Sequence, residues 1–225
     1  MDFCIDGSLV DLGIRTVVVG IVHNLDVEVA LSPEFLKRMS YQEERVSGLD
    51  IEMLRENRVI KGYREMVSDI GRSLKKYPPA AEALIKNTQR RQKMPRVNSV
   101  VDIYNLEALT SYLSIGAHDL DKIEFPVIFT LAKEKKTFYP IMSNEKEVSP
   151  TDFIYEDQHK VMGYLGCRDS DLCKIDETTK NAVFIIQGNP ITTTEERVAS
   201  LTRIMADLKD HMPEMTYEIK VIEAK

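Results

Sequence analysis

Two polar side chains inside an otherwise apolar helical segment are the first candidates for chemistry in this sequence. On a helical wheel, residues 97–113 place a broad apolar arc on one face, and Asp102 and Asn105 fall inside that arc. A buried carboxylate or amide destabilises a fold strongly unless it is hydrogen-bonded. We therefore expect each side chain to have a partner, which is either a neighbouring loop or a bound ligand. The pattern leaves both alternatives open.

The segment that carries this pair has the end signals of a helix. Ser99, followed three residues later by Asp102, is typical of a capping box at a helix start. Gly116 stands where a left-handed helix stop is expected. The charged turn His118-Asp119-Leu120-Asp121-Lys122 follows directly. The sequence thus predicts a helix that begins near Ser99, ends before Gly116 and leads into a polar turn.

A second candidate is the loop at 166–180, GCRDSDLCKIDETTK, because it carries four carboxylates. An EF-hand would need an oxygen ligand where Cys173 stands and a glycine where Lys174 stands. A solvated acidic loop is the better interpretation. We therefore predict no metal site and no cofactor.

The charge of the chain is unevenly distributed. The 225 residues carry a net charge of −6, which argues mildly against nucleic acid as a partner. Residues 70–101, however, contain eight basic residues and one acidic residue, a net +7 that leaves −13 for the remainder. A local basic stripe is what phosphate contact requires. An ordinary solvated helix face is an equally good interpretation. The basic residues are Arg72, Lys75, Lys76, Lys86, Arg90, Arg91, Lys93 and Arg96.

Several classes of protein are disfavoured by what the sequence lacks. No apolar run is long enough to span a bilayer, and the acidic start MDFCIDGSLV does not resemble a signal peptide, so we expect a cytoplasmic protein without membrane contact. The three cysteines match no metal or disulfide framework. There is no GxSxG elbow and no P-loop, and the four histidines are scattered. An enzyme with this sequence would not use a standard activated nucleophile.

The predicted elements indicate an α+β fold. Strands are expected near residues 3–5, 14–22, 125–131, 137–141, 153–155, 161–165, 182–187 and 217–222. Helices are expected from Pro33, across 47–75, over 80–89 and from Thr193 or Thr194. The first half is therefore mainly helical, and the second half is a mixed β-sheet or barrel-like structure. We expect residues 1–225 to form a single domain.

Two motifs carry a family resemblance. VDIYN at 101–105, followed after a gap by IGAHDLDKI at 115–123, resembles the tRNA-binding editing domain of the phenylalanyl-tRNA synthetase β chain. The similarity is closer still to the small stand-alone relatives of that domain. With the DLDK blocks superposed, Asn105 matches the helix asparagine, while the editing-site histidine of the synthetase falls on Gly116. The resemblance covers about residues 62–187, including the KYPPAAEALIKNTQRRQKMPRVNS run and the Arg-Asp-Ser loop.

The resemblance implies both a function and a set of site residues. The function is deacylation of mischarged aminoacyl-tRNA, with the aminoacylated tRNA as partner. Asn105 would polarise the ester carbonyl, and Asp169, or Asp171 as the alternative, would orient water or hold the substrate ammonium. Because Gly116 replaces the histidine, tyrosine specificity is not carried over. The implied substrate-binding residues are Asp102, Gly116, Asp119, Arg168 and Ser170, and the implied RNA-binding residues are Arg90, Arg91, Lys93 and Arg96.

Three hypotheses follow from these observations. The first is a trans-acting editing hydrolase, in which polar residues face a pocket and the basic stripe binds tRNA. The second is a tRNA-binding module without catalysis, in which Asp102 and Asn105 hold loops in place. The third is a sensor that binds a free amino acid in the editing pocket and is stabilised by it in the absence of tRNA.

Overall fold

An antiparallel four-stranded sheet forms the centre of the molecule. The structure, a computed structural model, describes residues 1–224. The sheet has the strand order β10-β2-β9-β3. Its strand β2 (Thr16–His23) is buried from Val17 through Val22, as its uninterrupted β-branched run predicts. The other strands are β3 (Gly116–Asp119), β9 (Asn181–Ile186) and β10 (Thr216–Glu223).

Both faces of this central sheet are covered. Val18 and Val22 pack with helix residues such as Leu201, whereas Val17 and Val19 pack with strands of a second sheet. Gly20 lies between the first two, and a Cβ at this position would stand 2.6 Å from Met205 Cε. Because Gly20 has no side chain, helix α7 (Thr194–His211) can approach the sheet closely.

The second sheet has the strand order β1-β4-β7-β8. Its strands are β1 (Phe3–Ile5), β4 (Val127–Leu131), β7 (Phe153–Glu156) and β8 (Val161–Tyr164). Strands β1 and β4 are parallel, and the remaining pairs are antiparallel. Strands β5 (Lys136–Phe138) and β6 (Lys146–Val148) form a separate hairpin. The sheets of residues 1–224 do not close into a barrel.

Most of the helices come before residue 112. They are α1 (Gly7–Val10), α2 (Pro33–Ser47), α3 (Ile51–Glu56), α4 (Arg58–Asp69), α5 (Ala80–Arg91) and α6 (Ser99–Ser111). Helix α2 begins at Pro33, as expected, behind the N-cap Ser32. The α+β class with a helical first half is thereby confirmed. Among these described helices and α7, none combines the length and apolar composition needed to cross a bilayer.

The ends of helix α6 differ from the prediction. Asn98 is the N-cap and accepts a hydrogen bond from Val101 N–H, whereas the Ser99 hydroxyl donates to the carbonyl of Val27. The helix ends after Ser111, and Tyr112 takes the left-handed conformation with φ of 62°. Gly116 is therefore not a helix stop but the first residue of strand β3.

Candidate active site

A cavity lies where helix α4, the start of α5 and the edges of both sheets meet. The volume open to the centres of water-sized molecules in this cavity is about 80 Å³. One water needs about 10–15 Å³ by this measure, so several waters or a small organic group could be accommodated. Most of the wall is apolar. The apolar side chains include Leu12, Met66, Val67, Ile70, Phe153 and Ile185.

Of the described residues that line this cavity, only Asp169 is acidic, and none is a lysine, an arginine or a histidine. Its Oδ2 accepts a hydrogen bond from Ala117 N–H at 3.1 Å, and its Oδ1 lies 3.5 Å from the hydroxyl of Tyr155. The side chain keeps 18% of its surface exposed. Burial nevertheless raises the pKa of Asp169 to about 7, because the protein shell penalises the charged form. A carboxyl group with this pKa can exchange a proton near neutral pH.

A chain of hydrogen-bonded side chains extends from Asp169 into the core. Tyr155 Oη lies 2.8 Å from His118 Nε2, and His118 Nδ1 lies 3.3 Å from Cys173 Sγ. His118 is fully buried, and this burial lowers its pKa to about 3. The imidazole is therefore neutral and does not form an ion pair with Asp169 at 4.0 Å.

Two glycines make room for Tyr155. A Cβ at Gly163 would stand 2.0 Å from Tyr155 Cε1, so the tyrosine ring lies against the backbone of β8. A Cβ at Gly116 would stand 2.7 Å from Tyr155 Oη and 3.0 Å from Asp169 Oδ1. Gly116, which the resemblance aligns with a histidine, thus faces the cavity with no room for a side chain. Sequence reasoning missed Tyr155, because no motif connects it to Gly116 or Asp169.

Asp102 belongs to a turn and not to the cavity. Its Oδ1 accepts a hydrogen bond from Val97 N–H at 3.0 Å, and its Oδ2 forms an ion pair with Arg96. The side chain is 3% exposed and does not line the cavity. Asp102 therefore does not share this cavity with Asp169, because these contacts tie its carboxylate to the turn before α6.

Asn105 also lies outside the cavity wall. Helix α6 is buried on nearly all sides, between α2, α5, α7 and the central sheet. Even Glu107, which the helical wheel places opposite the apolar arc, is buried and bound by Ser200 and Arg203. A polar residue on such a helix does not indicate one ligand-facing side. Asn105 and Asp169 therefore do not line this cavity together.

The remaining implied substrate-binding residues hold the local backbone. Asp119 accepts a hydrogen bond from Thr179 Oγ1 at 2.8 Å and pairs with Lys122. Arg168 is exposed and donates to the carbonyl of Ile141, while the buried Ser170 Oγ accepts from Leu172 N–H. These side chains do not line the cavity, but they fix the loop from which Asp169 enters it. Asp171, the alternative acidic residue, is exposed and pairs with Lys174 at 2.8 Å.

Several basic residues of the stripe form ion pairs in the folded structure. Arg72 pairs with the buried Asp152, and Arg96 pairs with Asp102. Lys86 joins Arg55 and Arg64 around the buried carboxylate of Glu82. At the end of helix α5, by contrast, three cationic side chains are exposed and form no ion pair within residues 1–224. These are Arg90, Arg91 and Lys93.

The described residues contain no cluster of three or more histidine, cysteine or acidic side chains that could hold a metal ion. The site is thus a mainly apolar cavity in an α+β fold, with one carboxyl group of raised pKa. This chemistry suits a small organic substrate that carries a positive charge.

Comparison with known proteins places this fold in a family. Residues 62–206 match the model of the B3/4 domain, which is more than half of the chain, and the chain therefore belongs to the B3/4 domain family. This confirms the resemblance to the synthetase β-chain domain that the VDIYN and HDLDK motifs carry. The structure is also similar to an N-terminal fragment of the phenylalanyl-tRNA synthetase β-subunit from Pyrococcus horikoshii, with 15% sequence identity and a TM-score of 0.49. That match covers 99% of this chain and 50% of the fragment, so the chain spans about half the length of the structure it matches. No curated protein matches the sequence.

Proposed function

We propose that this protein hydrolyses the ester bond of mischarged aminoacyl-tRNA. Membership of the B3/4 domain family supports a function related to tRNA synthetases. The single observation that carries the finer proposal is Asp169, a carboxyl group with a pKa of about 7 in a mainly apolar cavity. This arrangement supports the substrate and the reaction that we propose.

The charge of the cavity favours an aminoacyl ester over a free amino acid. Both carry an α-ammonium group, which the Asp169 carboxylate would attract. A free amino acid also carries a carboxylate, and no lysine or arginine among the described residues lines the cavity to neutralise it. An uncompensated buried charge is costly. An ester has no such charge, so the cavity would accept the esterified form.

The wall of the cavity favours an apolar amino-acid side chain. Met66, Val67 and Ile70 come from helix α4 and its C-terminal end, and Phe153 and Ile185 come from the two sheets. Burial of an apolar side chain against them contributes about 25 cal/mol per Å² of surface removed from water. A pocket of this kind separates similar side chains by only about 1–3 kcal/mol per methylene, which is why translation needs a second, editing site.

Asp169 would assist hydrolysis without a covalent intermediate. Its oxygens can accept about four hydrogen bonds, and Ala117 N–H and Tyr155 occupy part of this capacity. The remaining capacity would hold the substrate ammonium and a water molecule. Because its pKa is about 7, the deprotonated form can accept a proton as the water attacks the ester carbonyl. The hydroxyl of Tyr155 would keep the Asp169 carboxylate oriented by its hydrogen bond.

The exposed end of helix α5 is the best candidate for contact with tRNA. Arg90, Arg91 and Lys93 lie there together, and the overall charge of −6 would restrict binding elsewhere on the surface. Arg96, the fourth implied RNA-binding residue, is exposed in part but pairs with Asp102.

The test is a panel of mischarged tRNAs with labelled amino acids. The protein is expected to accelerate loss of label from at least one of them, with preference for an apolar amino acid. Asp169→Asn should reduce the rate at least about 100-fold, as expected for loss of a general base. Asp171→Asn, at an exposed site further along the same loop, serves as the matched control and should keep the rate. Uniform spontaneous decay across the panel would remove the hydrolase proposal.

One observation favours a second candidate, a tRNA-binding module without catalysis. Asp102 holds a turn, as that alternative expects, and the cationic end of α5 does not depend on the cavity. This candidate predicts tRNA binding by the wild type and by Asp169→Asn with equal affinity and no hydrolysis by either.

A further inference from the structure

Two lysine side chains from distant parts of the chain meet at one aromatic ring beside the cavity. Lys76 Nζ lies 5.4 Å from the centroid of the Tyr77 ring, and Lys146 Nζ lies 5.5 Å from the same centroid. Such cation–π contacts hold an ammonium group in place without neutralising it. We refer to Lys76 and Lys146 as the lysine pair.

The lysine pair lies next to two residues of the cavity wall. Lys146 Nζ lies 3.2 Å from Cys167 Sγ, and Cys167 is a half-buried residue that lines the cavity. On the other side, Tyr77 is followed by Pro78 and Pro79, and Pro79 also lines the cavity. An anion bound by the lysine pair would therefore sit next to a molecule inside the cavity.

The positive charge of the lysine pair is not compensated by the protein. Neither ammonium group forms an ion pair in the part of the chain that the structure describes. Two nearby carboxylates are engaged elsewhere, since Glu147 pairs with Lys135 at 3.1 Å and Asp152 pairs with Arg72. A bound anion would compensate the positive charge of these ammonium groups.

The start of helix α5 adds to the positive potential at the same place. The helix begins at Ala80, which lines the cavity, and its N-cap Pro79 provides no side-chain hydrogen bond. The helix dipole contributes a partial positive charge of about half a unit at this end, which is less than the full charge of a lysine or arginine.

We infer that the lysine pair binds a backbone phosphate of the RNA 3′ end whose aminoacyl group enters the cavity. This inference rests on the proposed function, and it names the part of the substrate that is recognised outside the cavity. The ester is attached to the terminal ribose, and only this ribose separates it from the nearest phosphate of the RNA chain. This short separation suits a phosphate site next to the cavity. Tyr77 is only 6% exposed, so its ring cannot serve as a stacking platform for a base. The recognised chemistry is therefore phosphate and not nucleobase.

Hydrolysis of two substrates separates this role from the reaction itself. In the double variant Lys76→Gln/Lys146→Gln, kcat/KM for the mischarged tRNA is expected to fall at least about tenfold, with a salt dependence shallower by about 0.7 for each phosphate that the variant no longer neutralises. The ethyl ester of the same amino acid has no phosphate, so its hydrolysis should stay within about twofold of the wild type. Lys61→Gln/Lys133→Gln, which removes two exposed lysines paired with acids elsewhere, is the control and should change neither.

A footprint of Cys167 tests binding without any need for catalysis. The trinucleotide CCA, which carries backbone phosphates, is expected to slow alkylation of Cys167 by iodoacetamide, measured by peptide mass spectrometry. This protection should disappear in the double variant and in the single charge reversal Lys76→Glu, which alters an exposed residue and should not disturb folding.

The outcomes distinguish the two proposals. Protection of Cys167 without hydrolysis of any substrate would remove the hydrolase proposal and leave the phosphate site standing. Hydrolysis of tRNA that is unaffected in the double variant, with no protection of Cys167 by CCA, would overturn the phosphate site. A change in the control variant as large as that in the double variant would also overturn it, because it would show a general charge effect.

Discussion

At the scale of single residues, the environment of Asp169 depends on two glycines, which have no side chain. Gly116 and Gly163 allow Tyr155 to lie against two backbones and to place its hydroxyl between Asp169 and His118. A histidine at position 116 would collide with both the tyrosine hydroxyl and the carboxylate. Gly116 is therefore part of a packing arrangement in which His118 is buried and neutral behind Tyr155.

The raised pKa of Asp169 predicts a pH dependence of both activity and stability. Its pKa in the folded protein is about 7, above the ordinary value of 3.8, so the folded state retains a proton that the unfolded state releases. The favourable contribution of this group is complete below about pH 4 and is lost as the pH rises towards 7. The difference in free energy of unfolding between the wild type and Asp169→Asn should therefore fall across this interval and level off above it.

Urea unfolding from pH 4 to 8 measures this difference, and the hydrolysis rate measured over the same range gives an independent check. The rate should rise as Asp169 deprotonates near pH 7. A rate already at its maximum at pH 5, or a stability difference that does not vary with pH, would contradict the raised pKa.

At the scale of elements, helix α6 shows how far periodicity can guide prediction. Its apolar arc correctly predicts a buried helix, and the predicted start at Thr193 or Thr194 agrees with that of α7, which has a capping box of Thr193 and Glu196. Periodicity could not show that α6 is buried on nearly all sides, because Glu107 is satisfied by side chains almost a hundred residues away. The cavity depends on similarly remote pairs, such as Ala117 with Asp169, and a single sequence does not reveal them.

Asp102 provides a test of the element-scale interpretation. Asp102→Ala removes the acceptor of Val97 N–H and the partner of Arg96, so it should lower the free energy of unfolding by about 1–3 kcal/mol. Hydrolysis of a small aminoacyl ester should remain close to the wild-type rate in the folded protein, because the carboxylate does not line the cavity. Chemical denaturation and ester kinetics measure the two effects. A loss of ester hydrolysis comparable to that of Asp169→Asn would instead place Asp102 in the reaction.

At the scale of the whole molecule, helix α5 connects the two regions to which the proposals assign RNA. It begins beside the cavity at Ala80 and ends at Arg91, a length of about 18 Å at 1.5 Å per residue. The uncapped start lies next to the lysine pair, and the exposed cations Arg90, Arg91 and Lys93 follow the end. An RNA whose 3′ end reaches the cavity could therefore contact both ends of one helix.

The distribution of charge predicts which substitutions weaken RNA binding. Residues 70–101 carry +7 and the remainder carries −13, so reversal of two exposed charges at the end of α5 should have an effect that the rest of the surface cannot compensate. Arg90→Glu/Arg91→Glu is expected to weaken tRNA binding and to make its salt dependence shallower by about 0.7–0.9 for each phosphate that is no longer neutralised. Hydrolysis of a small ester should be unchanged, because neither arginine lines the cavity. Gel-shift titrations at several salt concentrations measure the effect, with Lys61→Glu/Lys133→Glu as the control for a general change in charge. Equal weakening in both double variants would mean that the whole surface, and not the end of α5, determines the affinity for RNA.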